Sequence, residues 1–224
     1  MFKSFIKKCK KRLEAQNFHF DPASISDPLA QQTGWTGLKR GGSRSKTRKL
    51  VQVNPNRVEF KVSYLHVASF AILFLVGLYM VGLSLYPFFK SGNFAEIGKR
   101  LLYLIAGLCL AGFSVWKVIS KASPVVFDRA SGYFFKGRKS PRQMMPQQDK
   151  NNFIPLHKIG ALQILSEYIS YTDDSYYSYE LNLVLKDGKR INITDHNNLK
   201  HLKQDAVKLS EFLDVPVWDA SNRE

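Results

Sequence analysis

The stretch VSYLHVASFAILFLVGLYMVGLSLYPFF, residues 62–89, decides how the rest of the chain is read, because between Lys61 and Lys90 no side chain carries a full charge. A helix rises about 1.5 Å per residue, so roughly 20 apolar residues cross a hydrocarbon core about 30 Å thick. This run exceeds that length, and we place a span at about 65–88. His66 and Tyr86 stand near its ends, where amphipathic rings suit the membrane interfaces. Pro87 sits at the exit, where a missing N–H costs little. A second run, LLYLIAGLCLAGFSVW at 101–116, lies between Arg100 and Lys117. Lys117 can carry its ammonium to the interface on an aliphatic stem, which extends this span to about 101–120. A buried pair of soluble helices fits poorly with so long and uniform a first run. A cleaved signal peptide does not fit a run that begins only after Lys61. Gly77 and Gly82 on one helix, with Gly107, Ala111 and Gly112 on the other, offer small faces for close approach. Residues 62–120 therefore read as a transmembrane hairpin.

Charge orients it. Residues 1–61 hold nine Lys and five Arg against four acidic residues, and residues 117–224 hold sixteen basic against thirteen acidic. The tip carries Lys90, Lys99 and Arg100 against Glu96. Basic residues near span ends favour the cytoplasm, so both termini are expected there, in a multi-pass protein of the plasma membrane. The formal net charge of +15 asks for an anionic partner such as lipid headgroups or nucleic acid. The two cysteines, Cys9 and Cys109, fall in a basic tail and an apolar run, which suggests neither a disulfide framework nor a thiolate metal site.

Residues 1–32 read as a basic amphipathic tail and linker. Phe2, Phe5, Ile6, Cys9 and Leu13 share one helical face, and Lys3, Lys7, Lys8, Lys10, Lys11 and Arg12 occupy the rest. That pattern suits a helix lying on anionic lipid, and it equally suits a solvated tail. No aromatic platform accompanies it, which disfavours nucleic acid. Residues 33–61 read as a short β and loop segment beside the membrane. Leu50, Val51 and Val53 suggest one strand, Val58 and Phe60 another, with Asn54-Pro55-Asn56 turning between them. The run GGSRSKT lacks the glycine spacing of a phosphate-binding loop. Arg44, Lys46, Arg48 and Lys49 read instead as a patch against headgroups, or as charge holding the N-terminus inside.

Residues 121–224 switch to a period of two. Val125-Val126-Phe127 and Tyr133-Phe134-Phe135 flank a turn that ends in Gly132. Residues 138–152 are polar with two prolines and read as a loop, and IPLHKIGALQILSEYISY as one or two strands. Leu181, Leu183 and Leu185 alternate with polar residues before the Asp187-Gly188 turn, and Ile191 and Ile193 follow it. Asn197 or Asn198 caps a helix with the stripe Leu199, Leu202, Ala206, Leu209, Phe212 and Leu213. The expected fold class is α+β: a transmembrane helical hairpin plus a C-terminal antiparallel β-sheet domain of five to six strands, closed by one α-helix.

The strings GWTGLKRGG (34–42), LVQVNPNRVEF (50–60), VVFDRASGYFFKG (125–137), LKDGKRINITDHNN (185–198) and LSEFLDVPVWD (209–219) resemble a group of uncharacterised bacterial two-span inner-membrane proteins with a C-terminal pleckstrin-homology-like domain. The resemblance implies architecture. It carries no set of functional residues.

Chemistry is sparse. His196 and His201 are five apart across a helix start, with Asp195 adjacent, so a turn and cap suits them better than a metal site. No nucleophile–base constellation is visible, and Asp173 and Asp174 read as solvated. We expect no catalytic residues, cofactor or metal. Tyr168, Tyr171, Tyr176, Tyr177 and Tyr179 are dense for a small sheet. Core and edge packing explains some of them, while Tyr171, Tyr176 and Tyr177 are candidates for a partner surface. The expected function is that of a non-enzymatic membrane-anchored module docking a protein partner or a lipid headgroup at the cytoplasmic face, an immunity-like blocker being one version. The alternative is a membrane enzyme or transport component acting on lipid, which asks for ionisable residues within the spans.

Overall fold

The computed structural model describes residues 20–38, 42, 48–92, 98, 100–121, 123–138, 153–170 and 175–221. It divides into two compact units, one of residues 1–61 with 124–224 and one of residues 62–123.

The second unit is a helical hairpin, α2 (Tyr64–Ser91) and α3 (Leu101–Lys121); α1 belongs to the other unit and is given below. Within them, Tyr64–Lys90 and Leu101–Ser120, of 27 and 20 residues, are long and apolar enough to cross a membrane. Only 11% and 17% of their most apolar windows are buried inside the protein, whereas a core helix of a soluble protein is mostly covered. Tyr64, Leu65, Ile72, Leu75, Leu102 and Ile119 all point outward.

The helices meet at small residues. A Cβ on Gly77 would lie 2.8 Å from Gly107 O and Ala111 N, and one on Gly107 would lie 2.7 Å from Gly77 O. Gly82 and Gly112 have nothing within 4 Å of such a Cβ, so two of the five residues of the expected small face lie off the contact. Ser84 and Ser114 complete it, at 0% and 1% exposure. Their hydroxyls donate to Met80 O and Leu110 O, four residues back, which satisfies them in apolar surroundings.

Pro87 does not end α2, which runs on to Ser91 and stops at Gly92 (φ 66). A residue at 87 would normally donate its N–H to Leu83 O, and proline has none. Arg100 Nη1 donates to that carbonyl at 3.0 Å. Arg100 thus repairs the ladder that Pro87 interrupts, a role that sequence periodicity does not expose. Arg100→Ala is expected to speed hydrogen exchange about tenfold or more at Ser84–Phe88 in nanodiscs, because an unsatisfied carbonyl costs about 1–3 kcal/mol. Arg100→Lys should recover part of the protection.

Among its described residues the first unit carries nine strands in two sheets. β1 (Arg48–Asn54), β2 (Arg57–Val62), β3 (Val125–Asp128), β4 (Tyr133–Lys136) and β5 (Phe153–Pro155) form one sheet in that order. β6 (Ile159–Ser170), β7 (Ser175–Leu185), β8 (Arg190–His196) and β9 (Val217–Ala220) form the other, in the order β8-β7-β6-β9. The two strands that the sequence suggests within residues 33–61 are present and join the C-terminal domain, with β2 pairing β3 from Arg57↔Asp128 to Phe60↔Val125. The hairpin is therefore inserted between two hydrogen-bonded neighbours. The expected hairpins at 125–135 and 179–194 are present, with Gly188 at φ 80 in the turn of the second.

The helix α4 (Leu199–Leu213) is capped by Asn198, whose side chain accepts from His201 N. Leu202, Ala206, Leu209 and Phe212 enter a core with Val58, Phe60, Phe127 and Phe134 of the first sheet and Leu162, Ile164, Leu181, Leu183 and Ile193 of the second. The chain does not close with this helix. After Pro216 it adds β9, parallel to β6, so the fold is α+β with one parallel pair in an otherwise antiparallel arrangement. Lys203 of α4 and Asp219 of β9 pair at 2.7 Å. Burial acts to raise the Asp219 pKa, but the Lys203 and Ser221 hydrogen bonds and the Lys203 charge outweigh it and leave it lowered. A lowered folded pKa contributes stability above the unfolded value of about 3.9, lost as pH falls through the folded value. Asp219→Asn should thus reduce thermal stability at pH 7, with the gap to wild type closing below about pH 4.

The stretch expected as a linker is also folded. Asp21 caps a 3₁₀ turn (Pro22–Ser24), and Asp27 caps the short helix α1 (Pro28–Gln32). Each has Asp before Pro, a start signal for a helical turn as much as a loop marker. Ala30, Leu29, Ile25 and Trp35 pack on Ala161, Val184 and Trp218, on the face of the second sheet opposite the main core.

Candidate docking groove and strap

Residues 34–38 continue from α1 across that same outer face as a strap. Beneath them lies a belt of polar side chains: Gln163, Glu180 and Asn182, buried to 0%, 1% and 0% exposure, with Asn192 and Asp195. A register shift between Leu181 and Asn182 brings Asn192 and Asp195 to one face, as a bulge does. The belt reads the strap's backbone at alternate residues. Gln163 Nε2 donates to Gly34 O at 3.0 Å, Arg190 Nη1 to Thr36 O at 2.7 Å, and Leu38 N to Glu180 Oε2 at 2.9 Å. Trp35 anchors it, with its ring 4.3 Å from Phe20 and 5.8 Å from Trp218, and Nε1 donating to Ala30 O. Asn182 Nδ2 donates to Glu180 Oε2, and Asn192 Nδ2 to Asn182 Oδ1 and to Asp195 Oδ1. Burial lowers the Arg190 pKa and the Glu180 charge opposes this. The belt is a satisfied network that fixes the strap.

A groove of about 420 Å³ opens elsewhere on this unit, between the β1–β2 hairpin and the last turns of α4. It is lined by the apolar Leu50, Pro55, Val58 and Phe212 and by the polar or charged Gln52, Arg129, Lys208 and Glu211. Arg129 makes the frame stiff. Its backbone N donates to Asn56 O at 2.8 Å, its guanidinium stacks 4.5 Å from the Phe212 ring, and Nη2 donates to Phe212 O. The groove is open to solvent and its lining is mixed polar and apolar. Its residues come from three separated parts of the chain, so no local motif announces it.

The expected site residues are distributed unevenly. Lys3, Lys7, Lys8, Lys10, Lys11, Arg12, Arg44, Lys46 and Tyr171 lie outside the described residues. Arg48 is half-buried; burial lowers its pKa and the charge of Asp195 opposes this. Lys49 is exposed. Tyr177 packs at a tilt against Tyr168 across β6 and β7, ring centroids 5.0 Å apart, and Tyr176 faces Ile169 across the same ladder. Both are half-buried, so these two serve packing at the end of the β6–β7 ribbon as well as any surface. His196 Nδ1 accepts from Asn198 N at 2.7 Å, placing it at the start of α4. Among the described residues no three His, Cys, Asp or Glu side chains gather as a metal site would need. Comparison with known protein families, with curated proteins and with solved structures finds no match for this chain.

Proposed function

We propose that this protein is a membrane-anchored docking module of the bacterial inner membrane, whose two-sheet domain holds a partner protein in the groove between β1 and α4. The carrying observation is that groove, lined by apolar and polar side chains and framed by Arg129. Two helices long and apolar enough to span, with outward-facing apolar surfaces, support the anchor. Because β2 pairs with β3, both ends of the hairpin belong to one folded domain. That supports a topology with both ends on one side, and the excess of basic residues in 1–61 supports the cytoplasmic side. Two sheets packed with a helix near the C-terminus suit a pleckstrin-homology-like domain, of a kind that carries an extra strand, β9, and a helical insertion. Tethering raises the effective concentration of partner and groove, so modest contacts suffice.

Photo-crosslinking in cells tests this. Benzoylphenylalanine at Gln52 or Lys208 is expected to capture one protein species that is absent when the probe stands at exposed Lys186. The capture should disappear in Leu50→Asp. Crosslinks only to lipid, or the same species from Lys186, would exclude the groove as a protein-docking site.

A further inference from the structure

We propose that residues 36–38 are a lid: this half of the strap lifts from the second sheet while the rest of the domain stays folded, and so gates the polar belt beneath it. The two halves of the strap are held in different ways. Trp35 is fixed by apolar contact with Phe20 and Trp218 and by the bond from its Nε1 to Ala30 O. From there to Leu38 no side chain is buried: Thr36 and Gly37 are exposed, and Leu38 is 43% exposed. Among the described residues two hydrogen bonds hold this half, from Arg190 Nη1 to Thr36 O and from Leu38 N to Glu180 Oε2. A segment with so few buried apolar contacts opens at a fraction of the global unfolding free energy. The surface below is suited to being uncovered. An apolar face would lose its burial when the lid lifts, whereas water takes the lid's place at a carboxylate and a guanidinium. The belt also keeps bonds of its own without the lid. Arg190 Nη1 donates to Gln163 Oε1 at 3.3 Å, Asn182 Nδ2 to Glu180 Oε2 at 3.2 Å, and Asn192 Nδ2 to Asn182 Oδ1 at 3.2 Å. Glu180 and Asn182, 1% and 0% exposed with the lid down, then face solvent beside Arg190. Opening thus presents a preformed polar surface whose donor and acceptor are spaced to read an extended backbone.

Hydrogen exchange followed by NMR on the full chain in detergent micelles tests this. In the wild type, the Leu38 amide should be protected about tenfold or more over an unstructured amide, yet at least about a hundredfold less than the slowest amides of β6 and β7, as a closed lid that opens locally requires. Protection at the Trp35 indole N–H should exceed that at Leu38, which places the hinge between them. Arg190→Gln removes the charged donor to Thr36 O and should speed exchange at Leu38 about tenfold. Leu38 exchanging with the slowest amides of β6 and β7 would overturn the lid, because its opening would then be global unfolding. Leu38 exchanging as an unstructured amide would overturn it as well, there being no closed state. Equal protection at Leu38 and the Trp35 indole would overturn the hinge, since the whole arm would leave as one. An unchanged Leu38 rate in Arg190→Gln would overturn the hold of the belt on the lid.

Discussion

Replacing Gly107 with valine is expected to push α2 and α3 apart. A Cβ at that position falls 2.7 Å from Gly77 O and 3.0 Å from both Met80 Cβ and Val81 Cγ2. Backbone cannot yield as a flexible side-chain tip does, so the helices must separate or rotate. Overpacking of this kind costs about 1–3 kcal/mol or more, and separation also uncovers buried Ser84 and Ser114. Gly77→Val should act alike, because its Cβ meets backbone atoms of α3 at 2.8 Å. The measurement is the distance between spin labels placed at the exposed positions Phe89 and Leu102, in a chain with Cys9 and Cys109 replaced. We expect a longer and broader distribution for either variant. Gly82→Val and Gly112→Val, where nothing lies within 4 Å, should leave it unchanged. An unchanged distribution in Gly107→Val would mean that the close approach at Gly77 and Gly107 does not hold the pair together.

The second large effect is expected at Glu180. Its carboxylate is 1% exposed and accepts from Leu38 N and Asn182 Nδ2. Its charge also balances the half-buried Arg190. Glu180→Ala removes an acceptor from two donors and the balancing charge from a guanidinium. Leaving a buried donor without its acceptor costs about 1–3 kcal/mol, and two donors lose theirs here. Thermal unfolding of the full chain in detergent should show a fall of about 10 °C. Hydrogen exchange at Leu38 should accelerate before global unfolding, as the strap lifts. Glu180→Gln, which keeps an acceptor of similar shape, should cost less. The exposed Glu211→Gln should stay within about 0.5 kcal/mol of wild type. A small effect in Glu180→Ala would mean that Trp35, not the belt, holds the strap.

These two sites also mark where the sequence could be read and where it could not. Uniform apolarity located α2 and α3, because length and absence of charge need no knowledge of neighbours. Which glycines touch did not follow, since Gly77, Gly82, Gly107 and Gly112 look alike in sequence and the crossing of the two helices chooses among them. Alternation located β7 and β8 through Leu181, Leu183, Ile191 and Ile193. The alternation puts Glu180 and Asn182 on the face opposite those leucines, and the strap covers that face. Nothing in GWTGL advertises that contact, because the belt reads the backbone of Gly34, Thr36 and Leu38 rather than their side chains. β9 escaped notice because it is four residues long and its partner, β6, lies far back in the chain. The groove was hidden for the same reason, being assembled from β1, the β3–β4 turn and α4.

The pairing of β2 with β3 also sets an order of events during synthesis. β2 ends at Val62 and β3 begins at Val125, so the ribosome must release the whole intervening hairpin before the two strands can meet. At about 5–20 residues per second that interval lasts several seconds. During it the β1–β2 ribbon waits with the buried faces of Val58 and Phe60 still uncovered. A two-stranded ribbon is at best marginal alone, so the hairpin is synthesised before the domain that flanks it can fold. Translation stalled between α3 and β3 would leave a chain whose N-terminal strands keep the apolar face of Val58 and Phe60 uncovered.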